Sequence, residues 1–107
     1  MKPGDVMVGV LAGAVETKVR PGVVIASSAY LVEHPDVSGW YSHDKAAKTT
    51  TTTDCVLTDW QLAGLRAESY FRAYVLTTHR SEVTVIGHLS DRGWNQVKAC
   101  VHSAFAT

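Results

Sequence analysis

The sequence predicts a mainly β, α+β domain: a small, strongly bent sheet or barrel of five or six short strands, with one C-terminal α-helix packed outside it. Three observations carry this. Val, Thr and Tyr are plentiful and Gly-rich breaks recur, a composition that leans toward strand. Several short segments alternate apolar and polar residues with the period of a half-buried strand. Only the last segment sustains a helical apolar stripe.

Taken in order, residues 4–11 (GDVMVGVL) place Val6, Val8 and Val10 on one face of a first strand. Residues 12–19 carry Gly13, Glu16, Thr17 and Lys18 and read as a loop. Pro21 cannot donate to a ladder, so it is expected at the start of the second strand, which Val23, Val24 and Ile25 continue as a buried β-branched run. Residues 27–33 make a helical turn capped by Ser27 or Ser28. A third strand runs over residues 37–42, weakened by Gly39. Residues 45–53 (KAAKTTTTT) form a polar connection, 54–57 a short strand, and 59–65 (DWQLAGL) a short helix that Gly64 ends. Two more strands, 70–77 and 83–89, flank a turn at 79–82. Ser90 then caps the final helix, with Asp91 favoured at its positive end, and Trp94, Val97, Val101 and Phe105 form its apolar stripe.

At 107 residues the chain supports a single domain, 1–107, able to bury roughly 65% of its unfolded surface. Its 46% apolar and 19% charged residues exclude a disordered chain. No run of about 20 apolar residues is present, so no transmembrane helix is expected and no membrane partner. Cys55 and Cys100 form no CxxC pair, and the N-terminus has no signal-peptide character. Both read as reduced thiols of a cytoplasmic protein. The formal charge is zero, which argues against a broad non-specific nucleic-acid patch. A small cationic cleft stays open, because one transition state needs only one or two placed charges.

Several constellations fail on inspection. Ser42, His43 and Asp44 spell a triad, but strand neighbours point to opposite faces and cannot converge. His34, His43, His79, His88 and His102 show no metal-ligand spacing, so no metal and no cofactor is expected. What remains is Lys18-Val19-Arg20-Pro21 entering a buried strand. Taken alone, a strand-edge arginine is more commonly a solvated charge than a catalyst.

The segment KPGDVMVGVLAGAVETKVRPGVVIASS resembles the N-terminal signature of PemK/MazF toxins, in which a GD-led strand and a loop precede an RP-plus-β-branched strand. The stretch DCVLTDWQLAGLRAESYFRAYVLTTHRSEVTVIGHLSDRGW is similar to one bacterial subgroup of that family. The likeness spans nearly all of the chain. It implies an SH3-like β-barrel of five to seven strands with a C-terminal helix. It also implies a homodimer, and the toxin of a type II toxin–antitoxin system: a metal-independent mRNA interferase that cuts single-stranded RNA and binds a cognate MazE-like antitoxin.

The family's two recurrent catalytic positions fall on Arg20 and Ser42. An always-protonated guanidinium suits the charge that gathers on phosphoryl oxygens when a 2′-OH attacks, and a hydroxyl can donate to the same phosphate. Glu16 and His43 are candidates for the group that takes the 2′-OH proton. Thr17, Lys18, Pro21, His43, Lys45, Arg72 and Tyr74 are candidate RNA contacts, with Arg72 as a phosphate ligand and Tyr74 as a stacking platform. Trp40 and Tyr41 stand where the family's third strand has smaller residues. Two other readings remain: a non-enzymatic toxin of the related gyrase-poisoning kind, against which Arg20-Pro21 argues, and an inactive relative that only binds an antitoxin.

Overall fold

A computed structural model describes residues 1–12, 17–42, 55–65 and 70–105. The chain runs β1 (Asp5–Ala12), β2 (Thr17–Val24), α1 (Ser28–Glu33), β3 (Asp36–Ser42), β4 (Cys55–Val56), β5 (Tyr70–His79), a 3₁₀ turn (Arg80–Glu82), β6 (Val83–His88) and α2 (Asp91–Ala104). All six strands join one antiparallel sheet in the order β4-β5-β3-β2-β1-β6.

The consecutive apolar pairs in β1 and β2 are explained by cover on both sides of this sheet. Val6 and Val23 are cross-strand partners and belong to one core cluster, with Phe71, Leu57, Ala63, Leu65, Leu89 and Val97. Their chain neighbours Met7 and Val24 belong to a second, with Ala26, Leu31 and Val37. Helix α2 and the 57–65 segment cover the first cluster; α1 covers the second.

Four expectations are corrected. The sheet is not closed into a barrel: β4 and β6 are its two edges. The 57–65 segment lies against the β6 edge instead, so close that a Cβ on Gly87 would stand 2.2 Å from the Ala63 carbonyl oxygen. That segment is a set of turns and no helix. Leu65 N–H donates to the Trp60 carbonyl and Gly64 N–H to that of Gln61, a Schellman arrangement around Gly64 at φ +84. Gly64 thus stops the chain as expected, before a helix has formed.

Thr17, Lys18 and Val19 lie in β2 rather than a loop, opposite Ala12, Leu11 and Val10. This end of the hairpin extends past the core, with Val10 and Val19 55% and 66% exposed, so no burial pattern marks it. Pro21 is mid-strand for the same reason, opposite Val8. Pairing with β3 begins only at Gly22, so the donor that Pro21 lacks is not called on by that ladder.

The helix caps follow the sequence. Ser27 Oγ accepts from Tyr30 N–H, and Ser90 Oγ accepts from Gly93 N–H at 3.0 Å. Val97 is fully buried on α2, and Trp94 and Val101 pack beside it, whereas Phe105 is 45% exposed.

Candidate active site

Arg20 is held in the middle of β2 by pairing with Gly9 of β1. It is half-buried. Across the ladder at Gly9, and two residues along at Gly22, the adjacent positions of its face carry no side chain, and both are buried backbone.

The other arginines whose side chains are described are committed elsewhere. Arg80 donates to the Leu31 carbonyl, to that of His34 at 2.7 Å and to that of Pro35 at 3.4 Å, which fixes the exit of α1. Arg92 is tied to Asp59, whose carboxylate also accepts from Ser90 Oγ at 2.7 Å. The Arg92 hydrogen bond, then that from Ser90, holds the Asp59 carboxyl below its ordinary range, and the same bond raises Arg92. Arg20 has no hydrogen bond or ion pair among the described residues. With no carboxylate against it among the described residues, this half-buried guanidinium is equipped to receive an anion from outside.

The register brings Ser42 into the same region at the backbone level. Gly22 of β2 pairs with Tyr41, the residue before Ser42, and Ser42 pairs with Phe71 of β5. Strand alternation separates the two predicted catalytic positions, however. Positions 20, 22 and 24 fall in one set with 39 and 41; positions 21 and 23 fall in the other with 40 and 42. By backbone register alone, position 42 follows the Gly22–Tyr41 pair and falls outside the set of Arg20.

Arg72 and Tyr74 lie in β5 where its register with β3 shifts. From the Trp40–Val75 pair to the Ser42–Phe71 pair, β3 advances two residues and β5 four. The simple alternation that would set Arg72 and Tyr74 on one face is therefore interrupted, in a β-bulge beside the Ser42 pair. Thr17 and Lys18 open β2, and Pro21 sits next to Arg20. Glu16, His43 and Lys45 lie outside the described residues. Among the described residues no three His, Cys, Asp or Glu side chains gather as a metal site, and no helix is long and apolar enough to cross a membrane.

With these positions set, comparison with solved structures identifies the architecture. An endoribonuclease in complex with its cognate antitoxin, from a mycobacterial species, superposes with a TM-score of 0.76 over 97% of this chain and 93% of its own, at 16% identity. A MazE–MazF complex from Deinococcus radiodurans gives 0.74 over 97% and 94%, at 12% identity. The fold is MazF-like. A second mycobacterial endoribonuclease agrees, with a TM-score of 0.74 over 97% of this chain and 89% of its own, at 16% identity. No protein-family model matches the sequence, and no curated protein does. The MazF-like fold accounts for the sheet with its C-terminal helix, and Arg20 stands on its second strand. The β5 bulge and the Asp59–Ser90–Arg92 link were missed from sequence. Only the Ser90 cap signal pointed near the second of them.

Proposed function

We propose that this chain is the toxin of a type II toxin–antitoxin pair and a sequence-specific endoribonuclease acting on single-stranded mRNA. The observation that carries the reading is the half-buried, uncommitted guanidinium of Arg20 on a MazF-like sheet. In the reaction the ribose 2′-oxygen attacks the adjacent phosphorus and the 5′-oxygen leaves. The products are a 2′,3′-cyclic phosphate and a 5′-OH. Arg20 stabilises the negative charge on the phosphoryl oxygens, which needs no metal and no cofactor.

Ser42, in the other alternation set, takes the smaller part as a hydrogen-bond donor. Lys18, Arg72 and Lys45 supply further phosphate contacts, Tyr74 a stacking surface, and Thr17, Pro21 and His43 line the approach. Glu16 and His43 are the candidate bases. The chain acts in the cytoplasm as a homodimer, and the dimer is supported by exposed apolar residues that one copy leaves uncovered: Val10 and Val19 on the hairpin, and Val85 and Ile86 on edge strand β6. A cognate MazE-like antitoxin is the regulating partner, as in the named complexes.

The test is incubation with a long single-stranded RNA in EDTA, followed by mapping of the new ends. Cleavage at a recurrent short motif, leaving 5′-OH termini, is expected. Activity that vanishes in EDTA and returns with a divalent ion overturns the mechanism.

A further inference from the structure

Helix α2 covers the sheet face that carries Val23, the alternation set opposite that of Arg20. Between α2 and the residues joining β2 to α1 lies a surface pocket of about 440 Å³, within the roughly 300–1,000 Å³ range of small-molecule sites. Ile25, Trp94 and Val101 wall it, and the fully buried Val97 completes this apolar lining. On the α2 side, Lys98 and His102 are exposed and one helical turn apart, on one stripe of the helix. The Lys98 ammonium lies 5.6 Å from the centre of the Trp94 ring, a cation–π contact that keeps the charge beside the aromatic wall. On the α1 side, Ser27 Oγ is spent accepting from Tyr30 N–H at 3.1 Å. The exposed Ser28 hydroxyl has no partner among the described residues. No lining residue is acidic.

This combination discriminates among ligands. A wholly apolar molecule leaves the ammonium and the hydroxyl unused. A nucleobase sets its polar edge against aliphatic walls, where it finds no hydrogen bonds. An apolar chain that ends in a carboxylate matches both halves of the site. We propose that the pocket binds a free amphiphilic carboxylate, of which a medium-chain fatty acid is the simplest. Its chain lies against Ile25, Trp94 and Val101, and its carboxylate accepts from the Lys98 ammonium and the Ser28 hydroxyl. The site is on the face opposite the Arg20 set, so the proposal does not rest on the ribonuclease reading.

The experiment is calorimetric titration of the full chain, without RNA, with decanoate below its micelle-forming concentration. Hexanoate, four methylenes shorter, should bind about tenfold or more weakly. Decylammonium, with a chain of similar length and the opposite charge, should bind about fivefold or more weakly. Lys98→Met keeps an apolar stem and removes the charge. It should abolish the preference for decanoate over decylammonium while the dependence on chain length survives. Ser28→Phe fills the pocket from an exposed position and should weaken decanoate about tenfold or more, with an unchanged thermal melt. Equal binding of decanoate and decylammonium, a preference that survives Lys98→Met, or affinity indifferent to chain length overturns the proposal. Flotation of the protein with anionic phospholipid vesicles, lost in Lys98→Met, overturns it in favour of a lipid surface. A wild-type dimer that Lys98→Met and Ser28→Phe both convert to monomer overturns it in favour of a second copy.

Discussion

Arg80 is bonded to three carbonyls and Arg92 to a carboxylate, whereas Arg20 has no hydrogen bond or ion pair among the described residues. That difference decides what truncation does. If Arg20 serves the proposed reaction, Arg20→Ala should lose transition-state stabilisation of about 3 kcal/mol, so cleavage should fall by about 10²-fold or more with little change in the melting temperature. Ser42→Ala should cost less, and Ser42→Thr, which keeps the hydroxyl, should be tolerated. Single-turnover cleavage beside a thermal melt checks all three, and full activity in Arg20→Ala sinks the assignment. Asp59 presents the converse case, a charge spent on structure. Its carboxyl is held low by Arg92 and Ser90, so its contribution is full above the unfolded pKa and lost as pH falls through the lower folded value. Asp59→Asn should therefore melt below wild type at neutral pH, and the gap should close as pH falls through and below the ordinary carboxylate range. A gap that persists undiminished in acid refutes the linkage.

At the scale of elements, the open edge of the sheet depends on a close approach of backbones. The Ala63 carbonyl occupies the space a Cβ of Gly87 would need, and both partners are main chain and cannot swing aside. Gly87→Ala should push the 57–65 segment off β6 and destabilise the fold by about 2–3 kcal/mol, read as a lowered denaturant midpoint. A midpoint within error of wild type would show that the segment is not packed this way. The strands of this region were legible because each carries its own β-branched run, and α2 because Ser90 and the Trp94–Val97–Val101 spacing are local signals. The 59–65 turn reads as a helix in sequence because its apolar residues, Ala63 and Leu65 among them, are placed by a core they meet only after folding.

For the whole molecule, the uncovered valines of the hairpin and the apolar residues of β6 predict association of two copies. Sedimentation at micromolar concentration should give a dimer; a monomer there refutes it. An acidic antitoxin tail that crosses the Arg20 region should compete with RNA and bind less tightly as salt rises. Titration of cleavage against antitoxin, paired with a binding assay for RNA, checks this. Inhibition with both ligands bound together would place control elsewhere.

The sequence by itself determined the strand-rich class, the buried β-branched run at Val23 and Val24, a helix cap at Ser27 or Ser28, and the cap at Ser90. All of these are local: propensity, period and capping act over a few neighbouring residues. Tertiary structure decided the rest. Whether the sheet closes depends on the 57–65 segment meeting Gly87, more than twenty residues away. Whether an arginine is spent or spare depends on carbonyls and carboxylates brought to it from distant elements. The separation of Arg20 from Ser42 into alternate sets depends on the register of β2 against β3. No window of sequence contains that register, because long-range pairing is set by how the two covered faces of the sheet pack at once.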